Sequence, residues 1–241
     1  MRGMTGLLLW SVIVTFTAND ASAQMYPPVN FRNTASYGAK IPRTMNLIHS
    51  STPTDQKTVR IQVYGQSHSK QEWSQQLGIW LRETWPDVNF EFKNTSIGGC
   101  ASECLIKSTL FEFREFYPDL LIFHVGVQSE WSFDQICEEA REHTACELML
   151  WTDYDPTGST WSVNIIRATG ADMDAEMVEA YVQFGEYISD YASVSLADLS
   201  DGHLTDHGNW LMAELMKPHF VYRPGDAPDP HGLAKTYHVG T

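Results

Sequence analysis

From residue 58 the chain alternates between two kinds of apolar pattern. VRIQVYG (59–65) alternates apolar and polar residues, the signature of a half-buried strand, and VNFEFKNTS (88–96) does the same. PDLLIFHVG (118–126) is almost continuously apolar, as expected for a strand covered on both faces, and ELMLWTDY (147–154) follows as a fourth strand. Between them the apolar residues recur every three or four positions. QEWSQQLGIWLRETW (71–85) places Trp73, Leu77, Trp80, Leu81 and Trp85 on one helix face, a stripe read as core packing. CLIKSTLFEFREF (104–116) and SFDQICEEAREHT (132–144) read as further helices, the latter with Ser132 as its cap. Residues 172–192 predict a long helix with Met177, Tyr181, Phe184, Ile188 and Tyr191 along one stripe. SVSLADL (193–199) reads as a short fifth strand and HGNWLMAELMKPHF (207–220) as a closing helix.

Alternation of this kind predicts one three-layer α/β/α domain over residues 58–220, with a central parallel sheet of about five strands. Its functional groups belong at the carboxyl ends of the strands. Residues 24–57, rich in Pro, Ser, Thr and Asn, show no clear period and read as an irregular strap lying on the domain. The Pro- and Gly-rich residues 221–241 read as an irregular tail.

The first 23 residues change the picture of where the domain works. LLLWSVIVTFTA is an apolar run of twelve, too short to span a bilayer. Ala21-Ser22-Ala23 then forms a small-x-small cleavage site, so the expected mature chain starts at Gln24 and is secreted or periplasmic, with no membrane segment. In that setting Cys100, Cys104, Cys137 and Cys146 are disulfide candidates, the simplest pairing being 100 with 104 and 137 with 146. Asn94-Thr95-Ser96 is a glycosylation sequon in a eukaryotic host. Across 241 residues, 16 Lys and Arg stand against 30 Asp and Glu. The resulting net charge of −14 repels phosphate backbones and argues against a nucleic-acid partner.

The candidate chemistry sits at the predicted strand ends. Gly65-Gln66-Ser67 closes the first strand, Asn94-Thr95-Ser96-Ile97-Gly98-Gly99 the second and Gly126-Val127-Gln128 the third. Asp201-Gly202-His203 precedes the last helix. A serine alone at such a turn is more often a helix cap, and a histidine alone is more often satisfied by its surroundings. Together, a serine, a histidine, an acid and glycine-rich turns offering N–H groups are the parts of a serine hydrolase. His203 and His207 share a helix face as zinc ligands do, but no HExxH glutamate accompanies them and no third ligand is evident. Ser69 reads as a cap of the following helix, and His124 as a packed, hydrogen-bonded residue.

The order of these blocks resembles the SGNH hydrolases, or GDSL-type esterases, of the secreted bacterial kind. YGQSHSK stands where that family has its G-D-S block, and NTSIGG where it has an asparagine followed five residues later by a glycine. PDLLIFHVGVQ is similar to its P-D-x-apolar-G-x-N block, and DGHLTDHGNWLMAELM to its D-x-x-H block and closing helix. The resemblance implies a flavodoxin-like sandwich with Ser67 as nucleophile and His203 as general base. It implies an oxyanion hole formed by Ser67, Gly99 and the residue at 128. Two positions depart from the pattern. Gln128 replaces the asparagine, and Asp201 lies two residues before the histidine instead of three, with Asp198 and Asp206 as alternative acids. The expected function is hydrolysis of short acyl esters, acetyl above all, on a small molecule or polysaccharide, with no cofactor and no metal. The competing readings are an O-acyltransferase using the same residues and a carbohydrate-binding protein that has lost its chemistry.

Overall fold

The strand β1 (Thr58–Gly65) is an inner strand of the sheet, and its alternation feeds two apolar clusters, one on each face. Val59, Ile61 and Val63 point into one apolar cluster and Tyr64 into another. The computed structural model describes residues 25–126 and 129–220. Within it β1 pairs in parallel with β2 (Asn89–Asn94) on one side and β3 (Leu120–His124) on the other. β4 (Glu147–Trp151) and β5 (Glu176–Val178) extend the sheet beyond β3, giving five parallel strands in the order β2-β1-β3-β4-β5. The same split recurs on β3, where Leu120 and Ile122 face one cluster and Leu121 and Phe123 the other. A strand buried on both faces has no polar side to present, which accounts for the continuous apolar run.

Helices cover both faces. One layer packs α1 (Pro42–Ser50), α2 (Trp73–Thr84), α7 (Ala180–Asp190) and α9 (Asp206–Met216) against the sheet through Ile48, Leu77, Phe184 and Leu211. The other contains α3 (Ser102–Leu105), α4 (Thr109–Phe116), α5 (Glu130–Thr144) and α6 (Thr160–Asp172), which contribute Leu105, Phe113, Ile136 and Ile166. A short α8 (Leu196–Leu199) precedes α9. No helix among the described residues is long and apolar enough to cross a membrane. Residues 1–23 and 221–241, read above as a leader and a tail, lie outside the described residues.

Three expectations are corrected. SVSLADL is not a strand: Leu196–Leu199 is helical behind a Ser195–Asp198 capping box. The fifth strand is Glu176–Val178, inside the segment expected to be one long helix. Asp174, at a φ of 49°, turns the chain after α6, and the next residues pair with β4. The Met177–Tyr191 stripe imitates helix spacing although Met177 belongs to the strand, Tyr181, Phe184 and Ile188 to α7, and Tyr191 follows its last residue. The cap of α5 is Ser129, whose Oγ accepts the Ser132 N–H at 3.3 Å.

Residues 25–57 are more ordered than their composition suggests. Pro42 opens α1, and Ile41, Met45 and Ile48 enter the core. No side chain of the helix itself caps α1; the Glu147 carboxylate, from the first residue of β4, accepts the N–H groups of Arg43 and Thr44 at 2.7 and 2.8 Å. Glu176, the first residue of β5, plays a similar part. It accepts Gly38 N–H at 2.7 Å and Lys40 N–H at 3.1 Å and contacts His219 Nδ1 at 2.5 Å. Tyr187 and Tyr191 donate to the carbonyls of Pro27 and Pro28 at 2.9 and 2.6 Å, laying the strap along α7.

Candidate active site

The strand order reverses around β1, whose two neighbours are reached by crossovers in opposite directions. The carboxyl end of β1 beside β3 is therefore the place where this architecture opens a crevice. Gly65 ends β1 there with a φ of 153°, and a Cβ on it would stand 2.0 Å from the His124 carbonyl oxygen. Only glycine lets the two strand ends approach this closely. The chain then enters a short 3-10 turn, Ser67–Lys70, which presents Ser67 half-buried at the rim.

The second strand end is held against this turn. Asn94 Nδ2 donates to Ser69 O at 2.7 Å and Ser74 Oγ at 2.9 Å, while its Oδ1 accepts the Ser96 N–H at 3.0 Å. Both amide protons are in use, so a glycan on Asn94 would displace one of these bonds. Ile97 N–H donates to Gly65 O at 2.8 Å. The loop runs on to Gly99, exposed at a φ of 73° with open space around its Cα, and is closed by the disulfide Cys100–Cys104. Cys137 and Cys146 are free thiols buried in the core, so the expected second local disulfide is absent.

His203 stands on a tight turn. Ser200 and Leu204 bridge, Asp201 N–H donates to His203 O at 3.0 Å, and Gly202 takes a φ of 104°. Both Asp201 and His203 are exposed. Ring contact with His68, at 5.2 Å between centroids, brings His203 to the Ser67 turn. Among the described residues no hydrogen bond joins Ser67 Oγ to His203, or Asp201 to the His203 ring. Asp198 is committed to the Ser195 cap at 2.6 and 2.8 Å, and Asp206 lies exposed in the first turn of α9. Gln128 lies outside the described residues. His207 stacks on Tyr26 at 4.0 Å and meets Tyr187 Oη at 2.9 Å. No group of three or more metal-ligating side chains is found among the described residues.

His124 is the packed, hydrogen-bonded residue expected: it is fully buried, stacked on Trp151 at 3.7 Å, and its Nε2 meets Asp153 Oδ1 at 2.9 Å, although Asp153 and the residues below escaped the sequence reading. Burial alone raises the Asp153 carboxyl, but the bond and charge of His124 outweigh it, and the group titrates below the ordinary aspartate range. Ser69 caps nothing; it is buried and donates to His124 O at 3.1 Å. His68 lies between these groups and His203. Burial first, and then the charge of His124, push its imidazole below the ordinary histidine range. The available signal was its position directly after the candidate nucleophile. Two exposed tryptophans flank the rim, Trp131 and Trp161, each the second residue of the helix that follows β3 or β4.

No protein-family model matches the chain, and no curated relative matches it. Solved structures do. A GDSL-like lipase from Parabacteroides merdae superposes with a TM-score of 0.60 at 14% identity, covering 68% of this chain and 96% of its own. A two-domain esterase active on acetylated mannans superposes at 0.64 and 14% identity over 77% of this chain, which spans 52% of that protein. The acetyl xylan esterase AlAXEase superposes at 0.57 and 16% identity, covering 68% of this chain and all of its own length, 100%. With its five parallel strands in this order and helices on both faces, the chain has the three-layer fold of the SGNH, or GDSL-type, hydrolases.

Proposed function

We propose that the chain is an exported serine esterase that removes short acyl groups, acetyl above all, from carbohydrate. The observation that carries this reading is the meeting of Ser67, the Gly99 loop and the His203 turn at the β1–β3 crevice. Ser67 Oγ attacks the acyl carbon while its proton passes to His203. The oxyanion is received by the N–H groups of Ser67 and Gly99 and the amide of Gln128, each such donor being worth roughly 3–4 kcal/mol in the transition state. His203 returns the proton to the departing sugar hydroxyl, leaving an acyl-serine. Water then loses a proton to His203 and attacks, releasing the acid and restoring Ser67. An alcohol in place of water would give acyl transfer by the same steps. Asp201 is the acid closest in sequence for orienting His203.

Two features support a carbohydrate substrate, and a third supports export. One neighbour acts on acetylated mannans and another is an acetyl xylan esterase. Trp131 and Trp161 offer flat apolar faces at the rim, suited to the apolar face of a sugar ring. The leader-like residues 7–23 support export. One observation favours a binding protein instead: His203 lacks a bonded acid among the described residues.

Intact-mass labelling with a fluorophosphonate separates the two. One adduct on the wild type, absent from Ser67→Ala, is expected, followed by acetate release from acetylated mannan or xylan. No adduct on the wild type, under conditions that label a control esterase, rejects the serine mechanism in favour of the binding protein.

A further inference from the structure

The turn that carries His203 is fastened from outside. Leu204 N–H donates to Gln71 Oε1 at 3.0 Å, and Ser200 Oγ donates to Tyr154 Oη at 3.2 Å. At the tip, His68 Nε2 lies 3.2 Å from the carbonyl oxygen of Gly202. A carbonyl only accepts, so this nitrogen bears the proton and Nδ1 is left as the acceptor. Nδ1 faces an amide donor, Gln66 Nε2, at 3.4 Å. The Gln66 amide in turn lies over Gly126, where a Cβ would stand 3.1 Å from Nε2. Trp73 Nε1 donates to His68 O at 2.8 Å and fixes the backbone. The two side chains thus form one directional chain, from Gln66 through His68 to the peptide beside His203, and it starts one residue before Ser67.

Resting on the esterase reading above, we propose that His68 is a positioning residue for His203: its neutral, Nε2-protonated ring pins the Gly202 carbonyl and so sets where the general base stands relative to Ser67. Titratable groups face the ring from three elements. His124 comes from β3, Asp153 and Tyr154 follow β4, and His203 belongs to the turn itself. Burial first, and then the charges of His124 and His203, disfavour a second proton on the ring against the opposing pull of the Gly202 carbonyl and Asp153, so the neutral form persists when His203 takes up its proton during the reaction.

The test uses His68→Phe, which fills the space without a donor, and His68→Gln, which restores one. Hydrogen exchange of the 200–204 amides reads the latch without reference to catalysis, and the fluorophosphonate labelling rate reads its consequence. In His68→Phe, exchange of these amides should rise about fivefold, the loss of one net hydrogen bond. Labelling of Ser67 should fall at least tenfold at an unchanged melting temperature of the core, and His68→Gln should recover most of both. If His68→Phe does not fold, His68→Asn, too short to reach the carbonyl, takes its place. Unchanged exchange overturns the latch whatever the labelling does. Raised exchange with unchanged labelling overturns the positioning role. A wild type that does not label at all refutes the esterase reading and with it the positioning role, while the exchange data still decide whether the latch exists.

Discussion

Asn209 is where the site is tied to the core, and its replacement gives a quantitative test. Its side chain, 5% exposed, accepts the Trp73 N–H at 3.0 Å and donates to Leu204 O at 3.1 Å and Thr205 O at 2.9 Å. One amide therefore satisfies the first N–H of α2, which has no side-chain cap of its own, and holds the end of the His203 turn. Asn209→Leu keeps the branching and the number of heavy atoms and removes all three bonds. The Trp73 N–H is left buried without a partner, at a cost of roughly 1–3 kcal/mol, and the carbonyls lose about 1 kcal/mol more. About 3 kcal/mol in total corresponds to a fall in melting temperature of roughly 6–12 °C for a chain of this size. Urea unfolding followed by circular dichroism measures it directly: the midpoint should fall with an unchanged slope. A loss below about 0.5 kcal/mol would mean that water or a shifted helix replaces the amide, and the reasoning would be refuted.

Two further outcomes follow from burial. The imidazoles of His68, His49 and His207 are all held below the ordinary histidine range, by burial first in each case. The unfolded chain then binds more protons than the folded one below about pH 6.5, so stability should drop as pH falls through that value. Glu147, raised by burial, works in the opposite sense nearer the carboxylate range. A urea midpoint lower at pH 5.5 than at pH 7.5 is expected, and a flat or inverted profile would sink the argument. Burial also pushes the Cys146 thiol up to about 11 and Cys137 well above its ordinary value. Native protein should leave both thiols unreactive toward Ellman's reagent, and denatured, unreduced protein should expose both. Finding neither after denaturation would mean that they are bonded to each other.

Much of this was legible along the chain, and the parts that were not share a cause. The strand ending in Gly65 and the apolar run through Leu120–His124 announce themselves because burial on one or two faces dictates their periodicity. The same holds for α2, whose Trp73, Leu77 and Leu81 share one buried stripe. β5 did not announce itself, since three residues are too few to show a period and Met177 continues the spacing of α7 by coincidence. The Cys100–Cys104 disulfide followed from proximity in sequence, and Cys146 shows that proximity is not sufficient. Ser67, Gly99 and His203 were readable as candidates from their turns. The contacts of His68, Asp153 and Asn209 were not, because each joins residues far apart in sequence and leaves no local pattern.

The carboxylate of Glu176 has a kinetic consequence. It joins Gly38 and Lys40 on one side to His219 on the other, with Tyr37 stacked on the His219 ring at 4.1 Å. Nearly the whole described chain lies between these partners, so this contact closes a very long loop, and such contacts are gained late in folding. A nascent chain can assemble its sheet and fasten much of its strap through Glu147, Tyr187 and Tyr191 before residue 219 is made, but the knot at Glu176 is complete only when His219 arrives. Until then Glu176, at the start of the edge strand β5, is held from the strap side alone, which makes the residues just after α9 the step that completes the fastening of this edge.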